Sequence, residues 1–257
     1  MNIALIVLAA GKGSRMNSEL PKVLHPLGGA PLVVHAVRAG EPLSPERTII
    51  VAGHGADQVR KAALDFDPTV TVTLQEEQLG TGHAAGLAAP ELVGFDGTAI
   101  VLFGDTPFVK PDTLQAMVEA QQTYDVVVLG FEAADPGRYG RLVMDGDQLV
   151  RIVEYKDATD AERAISLCNS GVVACKASLL FELIGKVSND NAAGEYYLTD
   201  VVAIARAMDR TTTVVLCDES ETLGINTRLE LAQAEQIFQD NARKSAQEDG
   251  VALIAPD

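Results

Sequence analysis

Three cations and two glycines stand close together early in this 257-residue chain, in the stretch "LAAGKGSRMNSELPKVLH" at residues 8 to 25. Gly11 and Gly13 let backbone N–H groups turn toward one point, and Arg15 and Lys22 bring charge to the same neighbourhood. That combination suits the oxygens of a phosphoryl group. Lys12, Arg15 and Lys22 face one early acid, Glu19, although the whole chain carries 36 acidic against 20 basic side chains and a net charge of -16. Such a balance repels polyanions and argues against nucleic-acid binding, while a local positive spot suits a small anion. The stretch fits neither well-known phosphate fingerprint. A dinucleotide-binding loop needs a third glycine where Met16 stands, and a P-loop needs G-x-x-x-x-G-K-[ST]. A dehydrogenase and a P-loop kinase are therefore disfavoured, and a tight strand-to-helix turn with exposed cations is the plain alternative.

Other polar residues take bland readings when considered singly. Asp105 closes the apolar run "TAIVLFGD" and would cap the next turn or meet a ligand; Gln75 ends "VTVTLQ" as a solvated strand end. Asn226 in "GINTR" reads as a helix N-cap, and Glu154 beside Lys156 as a strand-surface charge. His25, His35, His54 and His83 show no metal-ligand spacing and no nucleophile pairing. Cys168, Cys175 and Cys217 are odd in number and form no C-x-x-C pair, so reduced, mostly buried thiols are expected, not a disulfide framework or zinc site.

The elements that must carry these residues alternate. "IALIVLAA", "RTIIVAG", "VTVTLQ", "TAIVLFGD" and "YDVVVLGF" read as strands, and the nearly unbroken apolar runs among them fit a parallel sheet covered on both faces. "PLVVHAVRA", "GADQVRKAALD", "GTGHAAGLAA" and "PDTLQAMVEAQQ" read as the helices between, the last starting with Pro and Asp as a first turn favours. This predicts an α/β, doubly wound sheet with a ligand crevice beyond the strands' carboxyl ends. Past residue 135 the pattern turns mixed. "RLVMDGDQLVRIVEY" reads as a hairpin with a I′ turn at Asp145-Gly146, and "LCNSGVVACKA" and "TTTVVLCDES" as strands. "EYYLTDVVAIARAMD" reads as a loop feeding a helix capped by Thr199. No Pro/Gly/Ser-rich linker divides the chain, so one domain with two lobes is expected. From Arg228, Leu231, Ala234, Phe238 and Ala242 trace one apolar stripe on a polar helix, and "GVALIAPD" returns to a strand pattern. No apolar run approaches the ~20 residues of a spanning helix, and the start lacks a secretory leader, so no membrane association and a cytoplasmic location are expected.

Eight collinear motifs then carry a resemblance: the loop at 8–25, "QEEQLGTGHA" at 75–84, "LFGDTPF" at 102–108, "GRYGRLV" at 137–143, "IVEYKDAT" at 152–159, "CNSGV" at 168–172, "GEYYLTD" at 194–200 and "GINTRLELA" at 224–232. Together they resemble the nucleotidyltransferases that make nucleotide sugars, specifically the uridylyltransferase part of the bacterial bifunctional N-acetylglucosamine-1-phosphate uridylyltransferase / glucosamine-1-phosphate N-acetyltransferase. The resemblance implies a Rossmann-like doubly wound, mostly parallel sheet with a mixed sugar-binding lobe and a C-terminal helix, residues 1–226 forming the catalytic domain. It implies UTP and N-acetylglucosamine 1-phosphate as substrates, Mg²⁺ as cofactor, and UDP-N-acetylglucosamine, a precursor of peptidoglycan and lipopolysaccharide, as product. By resemblance, Gln75 reads uracil with its amide, and Leu8, Ala9, Ala10, Gly11, Gly80 and Thr81 contact the same nucleotide. Phe103 and Gly104 make backbone contacts, Phe103 standing where the family often has Tyr. Asp105 and Asn226 hold Mg²⁺, Gly140, Glu154 and Asn169 receive the sugar, and Arg15 and Lys22 act catalytically on the triphosphate. A related thymidylyl- or cytidylyltransferase, or a silent sugar-nucleotide-binding module, is the competing reading. Residues 227–257 resemble the helix leading into the family's trimerising β-helix acetyltransferase domain, so this chain is expected to be a monomer or weak oligomer without acetyltransferase activity.

Overall fold

The computed structural model describes residues 2–254. Strand β1 (Ile3–Ala9) is buried along its whole length. Its alternate side chains enter two different cores, Ala4, Ile6 and Leu8 on one side and Ile3, Leu5, Val7 and Ala9 on the other. This is the physical meaning of the unbroken apolar run: both faces of the strand are covered.

The chain continues through a small hairpin, β2 (Pro26–Leu27) and β3 (Ala30–Pro31), and helix α1 (Leu32–Gly40). There follow β4 (Arg47–Ala52), α2 (Ala56–Phe66), β5 (Thr71–Leu74), α3 (Thr81–Gly86), β6 (Thr98–Phe103) and α4 (Pro111–Ala120). Next come β7 (Val126–Glu132), the hairpin β8 (Arg141–Asp145) and β9 (Gln148–Val153), α5 (Asp160–Arg163), β10 (Leu167–Lys176) and α6 (Ala177–Ile184). The remaining elements are α7 (Asp200–Ala207), β11 (Thr212–Leu216) and the long α8 (Arg228–Glu248). All the strands and helices expected from the alternating pattern up to β11 form, most within a residue or two of the expected bounds; α3 ends at Gly86, three residues early, and β11 at Leu216, four residues early.

The main sheet runs β11-β7-β10-β6-β1-β4-β5, with the β8–β9 hairpin attached to β10. Neighbours β6, β1, β4 and β5 are parallel, as are β7 and β11, whereas β10 lies antiparallel between β6 and β7. Helices pack against both faces, giving the doubly wound α/β arrangement with a mixed lobe on the β8–β9 side.

Four local expectations are corrected. The hairpin turn centres on Gly146-Asp147, because Asp145 pairs with Gln148; only Gly146 has positive φ (58°), so the turn has the II′ pattern and not I′. Thr199 precedes α7 but its side chain does not cap it, since the hydroxyl is spent on Glu154 Oε1 at 3.1 Å. Ala242 is exposed: the stripe on α8 stops after Phe238, where the helix leaves the body. Residues 251–254 form no strand; Val251 and Ile254 are 51% and 96% exposed, and the Val251 N–H donates to Ala246 O of α8 at 2.9 Å instead of pairing with a strand. The rest of that pattern, residues 255–257, lies outside the described residues. The three cysteines are free, and burial pushes the thiols of Cys175 and Cys217 up to about 12, as inert structural groups require.

Candidate active site

Strand β1 delivers Leu8, Ala9 and Ala10 to the carboxyl edge of the sheet, and the loop that follows folds into a short 3-10 turn, Ser14–Met16. Gly13 flanks it at φ 59°, and a Cβ there would lie 2.4 Å from Lys22 Cβ. Glycine thus lets Lys22, on a second 3-10 turn (Lys22–Leu24), lie directly against the loop. Lys22 Nζ donates to Asp105 Oδ2 and, at 3.0 Å, to Asn226 Oδ1. Two oxygens from distant parts of the chain therefore converge on one cation.

Each of those oxygens is held in place by its backbone. Gly104 N–H donates to Leu8 O at 2.9 Å, which extends the β6–β1 pairing up to Asp105. Ile225 N–H donates to Asp105 O at 2.9 Å and brings the "GINTR" segment alongside. Asn226 is not the helix cap. Thr227 takes that place in a capping box with Glu230, whose carboxylate also accepts from Asn226 N–H at 2.7 Å, so the Asn226 side chain donates its nitrogen to Gly224 O at 3.3 Å and turns its oxygen to Lys22. Upstream, buried Glu221 accepts from Lys110 N–H at 3.2 Å and Thr113 Oγ1 at 2.7 Å, fixing the approach to this segment. Arg228 of α8 donates to Met16 O at 3.1 Å, tying the C-terminal helix to the glycine loop.

Gln75 follows β5 and is buried. Its Nε2 donates to Gly80 O at 3.2 Å and lies 2.9 Å from His83 Nδ1. The NH₂ is thus engaged by protein, which leaves the carbonyl oxygen as the group open to a ligand. Gly80 has φ 118° and its neighbours are pinned to the 194–198 loop, with Gly82 N–H donating to Tyr196 O and Tyr196 N–H to Leu79 O, both at 2.8 Å. Thr81 Oγ1 accepts from Leu198 N–H at 3.0 Å, so its hydroxyl is structural.

Leu8, Ala9, Ala10, Gly11, Lys22, Gln75, Gly80, Thr81, Phe103 and Asp105 line one cleft of about 310 Å³. Its remaining lining includes Gln78 and Glu195, which the motif reading did not single out. Gln78 Nε2 donates to Ala10 O at 2.6 Å and closes the rim. Its signal was in "QEEQLGTGHA", but a lone amide in a polar run carries no directional information. Arg15 does not line this cleft; it is exposed and, among the described residues, makes no hydrogen bond or ion pair.

Gly140, Glu154 and Asn169 come from three separate segments and meet. A Cβ on Gly140 would lie 3.5 Å from Glu154 Oε1 and 3.6 Å from Asn169 Cβ, and Asn169 N–H donates to Gly140 O at 2.8 Å. Asn169 Oδ1 accepts from Gly171 N–H at 3.0 Å, and its side-chain nitrogen has no partner among the described residues. Burial raises the Glu154 carboxyl above the usual carboxylate range, nearby Asp157, Asp200 and Glu195 add to this, and the Thr199 hydrogen bond opposes it. Glu154 lines a second cavity of about 310 Å³ with Arg138, Tyr197 and Glu195 among others, whereas Gly140 and Asn169 line neither cavity. Glu195 borders both. Phe103 also connects the two regions, since its ring packs where a Gly171 side chain would be, 2.6 Å from the position of a Cβ.

The loop holding Gly140 is fastened by Arg141, which is 2% exposed. Its guanidinium donates to the carbonyls of Tyr139, Gly137 (3.0 Å) and Arg163 (3.2 Å). Composition could not reveal this role, because an arginine in a strand normally reads as a surface charge.

A glycine loop, a cation gripped by two oxygens, and an amide-walled cleft at the sheet's carboxyl edge are the parts of a nucleotide-handling site. The model of the MobA-like NTP transferase domain matches residues 5–166. The chain belongs to that family. Within it, the chain is 67% identical over 256 residues to the bifunctional protein GlmU of Roseobacter denitrificans, and 61% identical over 257 residues to that of Ruegeria pomeroyi. Both alignments take in 100% of this chain and 57% of the relative, so the chain spans just over half the length of these curated relatives. Among solved structures, the inositol-1-phosphate CTP transferase from T. maritima superposes with a TM-score of 0.75 at 18% identity, covering 97% of this chain and 98% of that one. A UDP-glucose pyrophosphorylase complexed with UDP-glucose gives 0.76 at 18% identity, covering 94% and 100%. These two likenesses establish the mostly parallel α/β fold of this MobA-like domain.

Proposed function

We propose that this MobA-like domain is a uridylyltransferase that joins UTP and N-acetylglucosamine 1-phosphate into UDP-N-acetylglucosamine and pyrophosphate. The observation that carries the reading is the convergence of Asp105 and Asn226 on Lys22, with Lys22 and Asp105 lining a cleft that has the Gln75 wall on one side and borders the Gly140–Glu154–Asn169 cluster through Glu195 and Phe103. The likeness to the GlmU proteins supports the choice of substrates.

The sugar phosphate's own oxygen is the nucleophile. It forms a bond to the α-phosphorus of UTP while the bond to the pyrophosphate oxygen breaks in line. No base is needed: a phosphate monoester has a second pKa of ~6 and is largely dianionic near neutrality. The protein's task is then to bring two polyanions together and offset their charge. In this reading Lys22, which lines the cleft, and Arg15, on the exposed loop outside it, supply that charge to the triphosphate. The Gln75 carbonyl oxygen accepts from uracil N3–H; cytosine presents a lone pair at that atom and is disfavoured, whereas thymine keeps the N–H. The free side-chain nitrogen of Asn169 donates to a sugar hydroxyl, Glu154 accepts from another, and Gly140 leaves room for the N-acetyl arm.

Asp105 and Asn226 are the residues that would hold Mg²⁺. Their oxygens already converge on a cationic group, and hard oxygen donors suit that ion. Among the described residues no cluster of three or more His, Cys, Asp or Glu could hold a metal, which fits an ion that takes most of its shell from substrate phosphates and water. When bound, the ion neutralises phosphate charge as pyrophosphate departs.

Residues 1–226 form the catalytic unit in this reading and 227–257 a helical extension, with the cytoplasm, where UTP is held, as the compartment. No helix among the described residues is long and apolar enough to cross a membrane. The test is pyrophosphate release from UTP, dTTP and CTP against N-acetylglucosamine and glucose 1-phosphates, with Mg²⁺ or chelator. UTP with the N-acetyl sugar should be fastest and chelator should abolish release. Preference for CTP would sink the base assignment, and UDP-sugar binding without any pyrophosphate release would leave a silent binding module.

A further inference from the structure

We propose that Lys22 is an exchangeable occupant of the cation position between Asp105 and Asn226: it holds the two oxygens in the free protein and leaves them for the triphosphate when a divalent cation arrives. The inference rests on the functional reading above and adds an order of events to it.

The Lys22 ammonium contacts Asp105 Oδ2 and lies 3.0 Å from Asn226 Oδ1, the two atoms best placed to ligate a divalent ion. The side chains are only 12% and 20% exposed for Lys22 and Asp105, so water screens their pairing poorly. An octahedral ion of the Mg²⁺ class sits about 2.1 Å from its oxygens. Placed between the same two oxygens, it would meet the ammonium at contact distance with like charge. Both cations cannot stay.

The backbone of Lys22 cannot yield, because its Cβ abuts Gly13 and the next two residues, Val23 and Leu24, are buried. Its four-carbon stem can rotate. Lys22 also lines the cleft with Leu8, Ala9, Ala10 and Gly11, so an ammonium released from Asp105 has that cleft before it. A nucleotide triphosphate entering there offers the replacement partner that the carboxylate no longer provides. Loading of the divalent ion and engagement of Lys22 with phosphate are thereby one exchange. In the free protein the ion must compete with a resident ion pair and binds weakly; the nucleotide relieves the competition, and the coupling is reciprocal.

The test is Mn²⁺ titration of the nucleotide-free protein, followed by electron paramagnetic resonance, for wild type, Lys22→Met and Lys22→Met/Asp105→Asn. Lys22→Met should bind Mn²⁺ roughly tenfold or more tightly than wild type, since removing one partner leaves a poorly compensated carboxylate, and the double variant should lose the gain. Should Lys22→Met not fold, Lys22→Gln, of similar reach and uncharged, carries the same comparison. Equal or weaker Mn²⁺ binding in the single variant overturns the proposal, as does a gain that survives Asp105→Asn. The two readings fail separately: intact pyrophosphate release with no Mn²⁺ gain removes only the exchange, and a Mn²⁺ gain without pyrophosphate release removes only the reaction.

Discussion

Substituting Gly80 by alanine strikes the wall of the nucleotide cleft at one atom. The backbone there has φ 118° and ψ 175°, a region open essentially to glycine alone, so the substitution carries about 1–3 kcal/mol of strain. The new Cβ would lie 2.5 Å from Tyr196 O, 2.8 Å from Tyr196 N and 3.0 Å from Tyr196 C. All three are backbone atoms that no rotamer change can move aside. Relief requires the 79–82 and 194–198 segments to part, which breaks the Gly82–Tyr196 and Tyr196–Leu79 hydrogen bonds, worth about 1 kcal/mol each. The total is about 3–5 kcal/mol. If the whole fold carries the lower figure, the Tm falls by roughly 6–12 °C, at about 2–4 °C per kcal/mol for a chain of this size. If the two segments open locally, the Tm holds and UTP must close them, raising its KM about 100-fold for 3 kcal/mol, at 1.4 kcal/mol per decade. Thermal melts with initial rates at varied UTP and saturating sugar phosphate separate these outcomes. A Gly80→Ala protein whose Tm and UTP KM both match wild type would refute the claim that this contact builds the nucleotide wall.

Two further predictions concern the sugar side. Arg141→Met removes three carbonyl contacts from a buried guanidinium while also relieving its desolvation; a net loss of about 2–4 kcal/mol is expected in urea unfolding, with a raised KM for the sugar phosphate and an unchanged KM for UTP. Unchanged stability and sugar KM would show that the Gly140 loop holds itself. Glu154→Gln keeps an acceptor for the Thr199 hydroxyl but cannot ionise. The wild-type carboxyl titrates above its unfolded value, so between the two values the folded state holds the proton more firmly and stability falls as pH rises. The Tm of the variant minus that of wild type should therefore grow as pH rises through and above the ordinary carboxylate range, and a pH-independent offset would contradict the burial argument.

What could be read from the chain follows the range of the forces involved. The runs that became β1, β4, β6 and β7 are legible because burial of both strand faces imposes a local pattern. The insertion of β10 antiparallel between β6 and β7 is not, since pairing partners 35 to 78 residues away leave no local trace. Backbone-determined features were legible: Gly13 and Gly80 take the positive φ that glycine permits, and Asp105 stands just past the end of β6. Side chains with several possible partners were not. Thr199 serves Glu154 instead of its helix, and Gln75 spends its NH₂ on Gly80 and His83. Lys22 grips the expected metal ligands, Arg15 stands apart from the cleft, and the helix cap falls to Thr227, one residue past Asn226. The meeting of Gly140, Glu154 and Asn169 was accessible only by resemblance, because three distant segments build it.

The most direct measurement is the initial rate of pyrophosphate release from UTP and N-acetylglucosamine 1-phosphate, with Mg²⁺, for wild type and Asp105→Asn. Asn keeps the shape and leaves an oxygen for Lys22, so the fold should melt within a few degrees of wild type, while removal of the negative charge lowers kcat by at least about 100-fold, a charge effect of the size seen when one preorganised electrostatic group is lost. A folded Asp105→Asn protein turning over at the wild-type rate would contradict the account.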